Sequence, residues 1–200
     1  MEVLEYKPLK SLLLKPGAGY QQPSLYVPSA VRADSPAIEV MTDLRLVVAA
    51  TVDAGVRVDV ANQAMITRGV RSLLVTEAAE VVGLLTAHDI LGERPLQVVR
   101  ERALRHDELC VCDIMTARES VEVLDIDDVL RARVGHIVQT LKSAGRQHAL
   151  VVETDTGSGR HMIRGIFSVS QIARQLGIAI HTTEVARTFA EIEAIVAVAS

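Results

Sequence analysis

A seven-residue pattern that occurs twice constrains this chain more than any other feature. Gly83-Leu84-Leu85-Thr86-Ala87-His88-Asp89 ends an apolar run, Val81 to Leu85, and opens a short helical segment that stops at Gly92. Gly165-Ile166-Phe167-Ser168-Val169-Ser170-Gln171 does the same 82 residues later, leading into a helix from Ile172 to Leu176 closed by Gly177. Gly-apolar-apolar-Thr/Ser-x-x-acceptor therefore marks one point in each of two similar units.

The residues before each copy also correspond. Ile38 to Leu44 precedes a β-rich run, Val47 to Val52, and a helix over Val58–Arg68 with Val58, Ala61 and Met65 on one face. Gly69 falls where a helix C′ glycine belongs. Ser72 to Thr76 and Val81 to Leu85 read as strands joined by a turn at Glu77–Glu80, and Thr86 starts the next helix. In the second unit Asp113-Ile114-Met115-Thr116 echoes Val40-Met41-Thr42. A helix from about Val129 to Ser143 carries Val134, Ile137, Val138 and Leu141 on one face and ends at Gly145. His148 to Val152 and Met162 to Phe167 are its strands, and their connecting loop is six residues longer than the first.

Two copies of about 60 residues are each too small to bury a sheet face alone, so they should pack about a pseudo-twofold as one two-lobed α/β (α+β) domain. The expected boundaries are an extended Pro-rich arm over 1–38, repeat 1 over 39–92, a charged surface connector over 93–112, repeat 2 over 113–178, and a C-terminal amphipathic helix over 179–200. The arm holds Pro8, Pro16, Pro23, Pro28 and Pro36, which disfavour helix. It reads either as a strap over the folded body or a partner chain, or as disordered chain. In the tail, Val185, Phe189, Ile192 and Val196 form one apolar seam, which suits packing on the protein's own body, a dimer contact or a partner.

Composition narrows the function. The net charge is −4 and aromatic residues make up 2% of the chain, so neither a basic field nor stacking platforms favour nucleic acid. No apolar run reaches membrane-spanning length. Cys110 and Cys112 form the one C-x-C; in a strand both would face the same way, as a soft metal or a redox pair needs, but two ligands close no metal site. Reduced thiols in a cytoplasmic protein are the plainer reading. No Gly-x-Ser-x-Gly, phosphate-loop Lys-Thr or His-Glu-x-x-His is present, and no catalytic residue is assigned.

A tandem βαββα unit with Met-Thr before each copy and Gly-apolar-apolar-Thr/Ser-x-x-Asp at its close resembles a pair of cystathionine β-synthase (CBS) domains, over residues 39 to about 178. The resemblance implies a non-catalytic regulatory module that binds AMP, ADP, ATP or S-adenosylmethionine in clefts between the repeats. It also implies a homodimer, an effector protein as a further partner, and no required cofactor. By resemblance, Thr51, Val52, Ser72 and Leu73 lie along the first slot.

The motif residues carry chemistry of their own. A helix N-terminus offers free N–H groups to phosphate, Thr86 adds a hydroxyl, and Asp89 has two acceptor oxygens that match a ribose diol. Gly83 would let a ligand or a neighbouring backbone come close. His88 is the nearest residue able to supply charge. Thr-x-x-Asp is equally close to a capping box, in which both side chains serve the helix's own amides. Ser168-x-x-Gln171 fits a capping box better still, yet Gln171 lacks the anionic acceptors. The expectation is two helix caps, one ribose anchor, and a second cleft faced by Ser168, Gln171, His148 and Arg146 that is empty, weaker, or occupied by something without a ribose. A ligand-free scaffold for dimerisation or docking is the alternative.

Overall fold

The computed structural model describes residues 31–178 and Ile192. The arm up to residue 30 and the rest of the expected C-terminal seam lie outside the described residues; Ile192 is helical and buried in the core of the second repeat. In chain order the elements are β1 (Thr42–Asp43), β2 (Thr51–Asp53), α1 (Val58–Arg68), β3 (Ser72–Glu77), β4 (Glu80–Thr86), α2 (Ala87–Leu91), α3 (Arg94–Arg102) and α4 (Val111–Ile114). They continue as β5 (Thr116–Ala117), β6 (Val123–Asp125), α5 (Ile126–Arg131), α6 (Val134–Ser143), β7 (His148–Thr154), β8 (His161–Ser168) and α7 (Val169–Gln175).

These strands make two four-stranded sheets, in the orders β2-β3-β4-β5 and β1-β8-β7-β6. In both, one parallel pair (β2 with β3, β6 with β7) adjoins an antiparallel hairpin. Alternation along the strands gives each sheet two apolar faces. Leu73, Val75 and Leu85 face the helices of the first repeat. Val151 and Phe167 do so in the second. Leu74 and Leu84 meet Leu150 between the two sheets, in a small core that joins the repeats.

Each repeat is completed by the segment that leads into the other. Strand β1 precedes the first repeat but pairs with β8 of the second, and β5 precedes the second but pairs with β4 of the first. The residues just before them follow the same rule. Ala37 donates to the Ala132 carbonyl, while Val134 and Gly135 donate to Ser35 and Ala33. In the first repeat Val58 donates to Leu109, and Val111 and Cys112 donate to Val56 and Ala54.

This exchange accounts for most departures from the sequence-based expectations. The helix expected over Val129–Ser143 is split into α5 and α6, because Ala132 and Arg133 turn extended to bond with residues 34–37. The expected connector is more than surface: Leu109, Val111 and Ile114 are buried in the first core, and Pro95 of α3 is buried too. The β-rich run shortens to Thr51–Asp53, because the chain must cross from one sheet to the other after β1; Leu46 and Val48 are left 83% and 98% exposed on that crossing. Cys110 caps α4 and Cys112 lies within it, so the pair is on no strand and does not share a face. Among the described residues no group of three or more His, Cys, Asp or Glu could hold a metal ion.

Glycine at 83 and 165 follows from the same crossings. A Cβ at Gly83 would lie 2.6 Å from the Thr116 carbonyl oxygen and 2.8 Å from Met115 Sδ; the three atoms nearest to one at Gly165 all belong to the side chain of Met41. A backbone oxygen held in a ladder cannot retreat as a thioether can. Gly83→Ala should therefore cost about 1–3 kcal/mol in urea unfolding, and Gly165→Ala clearly less. Equal costs would contradict the account of the β4–β5 crossing.

Candidate ligand cleft between the repeats

The end of β4 and the first turn of α2 meet the start of β7 across the gap between the sheets. They enclose a cavity of about 330 Å³. Thr86, His88 and Asp89 line it from the first repeat, and Arg146, Gln147 and His148 from the second, with Thr116, Val121 and Glu122 along the β5–β6 segment and Leu84 and Leu150 as its apolar floor. A second cavity of about 300 Å³ adjoins it and shares Glu122, Arg146 and His148.

Sequence reasoning grouped site residues by repeat, whereas the packing groups them across repeats. Thr86, His88 and Asp89 come together as expected, but with Arg146 and His148, which had been assigned to the other cleft. Leu73 is fully buried against the first repeat's own helices, so it cannot face a ligand slot. Thr51, Val52 and Ser72 do not line the cavity either, and Gly83 serves backbone approach rather than ligand approach. Thr116, Glu122 and Gln147 were missed. The Met-Thr echo was the available signal for Thr116, since each Met-Thr leads into a strand that crosses to the other repeat.

Asp89 closes the cap of its own helix with one of its two oxygens. Its Oδ2 accepts from the Thr86 amide at 2.8 Å and from Thr86 Oγ1 at 2.7 Å, while the Asp89 amide donates back to Oγ1 at 3.3 Å. The capping box is formed, and it uses one carboxylate oxygen. Oδ1 is left toward Arg94, 3.8 Å away, on a side chain 13% exposed. A carboxylate oxygen has about two acceptor positions, so Oδ1 keeps room for a hydroxyl donor.

The equivalent ends of β8 and α7 differ. Strand register equates His148, paired with Ser168, and Ser72, paired with Thr86. On that register Arg146, Glu122, His88 and Asp89 correspond to Val70, Ala50, Ser170 and Gln171. The ionisable groups are gone, apart from Arg71 in the place of Gln147. The capping box expected at Ser168 is absent: its hydroxyl lies 3.0 Å from that of Ser170, and Thr42 Oγ1 donates to Gln171 Oε1 at 2.9 Å. A neutral amide oxygen accepts from the Thr42 hydroxyl of the crossing strand instead of closing its own helix.

His148 stands out within the cavity. It is 7% exposed, and its Nδ1 has no hydrogen-bond partner among the described residues. Burial, and then the charge of Arg71, push its pKa down from 6.5 to about 4.

The family model for the CBS domain matches residues 37–95. Those residues are a CBS domain. The second repeat, beyond that match, has the same fold, so together they have the architecture of a tandem CBS pair. Among solved structures, a conserved uncharacterised protein of Pyrococcus horikoshii is 23% identical, with a TM-score of 0.53 over 76% of this chain and 100% of that one. A conserved CBS-domain protein of unknown function from Thermoplasma acidophilum is 18% identical, with a TM-score of 0.50 over 78% and 72%. A Methanocaldococcus jannaschii protein, described as a candidate archaeal homolog of g-AMPK, is 19% identical, with a TM-score of 0.51 over 70% of this chain and 49% of its own. No curated protein matches. Among the described residues no helix is long and apolar enough to cross a membrane.

The buried histidine makes stability depend on pH. Its native pKa of about 4 lies below the ordinary 6.5, so below pH 6.5 the unfolded chain binds a proton that the native CBS pair does not. Stability from this residue is intact above 6.5, falls as pH drops toward 4 and levels off below, for a total of about 3 kcal/mol. Urea unfolding of the ligand-free protein should show this loss between pH 6.5 and 4, and His148→Gln should flatten it. An unchanged slope would contradict burial of a neutral ring.

Proposed function

We propose that this cleft binds an adenosine-bearing ligand, an adenine nucleotide or S-adenosylmethionine, and that the chain is a regulatory module without catalysis of its own. The supporting observation is the polarity of one cavity. At one side is a carboxylate with an oxygen left over from its cap, Asp89 Oδ1. At the other, Arg146 and His148 face the same space. Hydroxyls at the first and phosphate at the second match this order of acceptor and donor groups. Between them Leu84, Val121 and Leu150 offer the aliphatic surface that a base needs. The matched CBS family model over residues 37–95 supports the regulatory part.

Ligand contacts from both repeats would resist any change in their relative position. An effector protein would sense that restraint; a homodimer in the cytoplasm completes the reading. The scaffold alternative draws on a specific feature as well. Asp89 already satisfies its own helix, and the equivalent cleft has lost its charges. In that case both clefts stay empty and the fold serves docking alone.

A thermal-shift panel of AMP, ADP, ATP, S-adenosylmethionine, adenosine and a cyclic dinucleotide separates the two. A ligand at 100 times its Kd stabilises by about 2.7 kcal/mol, or roughly 5–10 °C for a chain of this size. One adenosine-bearing ligand should give such a shift, and Asp89→Asn and Arg146→Gln should each remove about half of it or more. No shift with any ligand would favour the scaffold.

A further inference from the structure

We propose that the cleft takes up a proton together with its anionic ligand, and that His148 is the group that carries it. The inference rests on the reading of the cleft as a nucleotide site, and it adds pH to what the module senses.

The geometry begins with a side chain more than nine-tenths buried whose Nδ1 has no partner among the described residues. An unsatisfied buried ring nitrogen is costly, and a ligand group that reached it would relieve that cost. His148 lines both cavities, and its Nδ1, closed off in the ligand-free protein, would gain that partner from a ligand seated against the ring.

The surrounding charges decide which kind of group it is. Arg146 lies two residues before His148, and Arg71, just ahead of β3, acts on the ring with its positive charge. From the β5–β6 segment comes Glu122, already paired with Arg146 at 3.0 Å. From α2 come His88 and Asp89, the latter bonded to Thr86 and turned toward Arg94. Each carboxylate near the ring thus has a cation or donor of its own, and among the described residues nothing anionic answers His148. Without ligand the ring stays neutral, its pKa held at about 4 by burial and by Arg71.

A phosphate oxygen at Nδ1 opposes both causes. It accepts a hydrogen bond from the charged ring, and it offsets the positive field of Arg71. The ligand therefore raises the proton affinity of His148, and by reciprocity the proton raises the affinity for the ligand. Between the ligand-free and ligand-bound pKa values, each unit of acidification strengthens this contribution up to about tenfold. Adenosine, which has no phosphate, gains nothing from it.

The test is calorimetric titration of the full chain with AMP at pH 6.5, in two buffers of different ionisation enthalpy, on parent and His148→Gln protein. The phosphate's own titration, near pH 6, is common to both proteins, so the difference belongs to residue 148. The parent should take up more protons per AMP than the variant, by a large fraction of one proton, and adenosine should show no such difference. Equal uptake by two proteins that both bind AMP would overturn the inference and leave the nucleotide reading intact. Failure of the parent to bind AMP or any other phosphate-bearing nucleotide would overturn the proton inference, and failure to bind S-adenosylmethionine and adenosine as well would overturn the ligand reading too. Should His148→Gln fail to fold, imidazole NMR titration of the parent keeps the question open to refutation: the His148 pKa must rise on saturation with AMP, and an unmoved value refutes the proposal.

Discussion

The exchange of leading segments between the repeats is the constraint on which the rest of the structure depends. Strands β1 and β5 each hydrogen-bond into the sheet of the other repeat. The residues just before them fill backbone positions beside the opposite helices. Neither repeat closes its sheet edge or its apolar core without this loan. The crossing also requires glycine at 83 and 165, and it fixes how the sheets face each other. The cleft at Asp89 is a consequence: the motif turn of one repeat can only look across at the first strand residues of the other.

Within that symmetrical frame the chemistry is one-sided. The cleft at Asp89 gathers two histidines, a carboxylate pair and an arginine, whereas its counterpart has small or neutral residues at the matching positions apart from Arg71. The two motif copies have diverged in what their fourth and seventh residues do. Thr86 and Asp89 close a capping box and leave one carboxylate oxygen over. Ser168 and Gln171 form no box, and Gln171 is held by Thr42 from the crossing strand. A carboxylate attracts two donors from its own helix start, and a neutral amide does so much less strongly. One change of residue type thus separates a cleft with a free anionic acceptor from one without.

Much of the fold was legible because strand and helix periods were strong where the chain is buried. The strands around Leu73 and Val151 follow from short continuous apolar runs, and the apolar face of α6 from helical spacing. What sequence could not reveal was reciprocity. A leader such as Ala33–Ala37 carries no periodic signal, so the break between α5 and α6 that it enforces was invisible. For the same reason Arg146 and His148 were placed opposite Gln171 instead of Asp89, since local pattern reports a repeat and not the repeat it faces. Leu73 was misassigned by a single position: its neighbours Ser72 and Leu74 point between the sheets, and strand alternation turns Leu73 the other way.

The central claim is a single ligand cleft that both repeats build. Its most direct test is the stoichiometry of AMP, or of the nucleotide that shifts melting most, measured calorimetrically on the parent, Asp89→Asn, Arg146→Gln and Gln171→Ala proteins. One ligand per chain is predicted, with affinity lowered at least roughly tenfold by the loss of a charged hydrogen bond at Asp89 or at Arg146 and unchanged at Gln171. Two equivalent ligands per chain, or an Arg146→Gln protein that binds as tightly as the parent while Asp89→Asn does not, would contradict it.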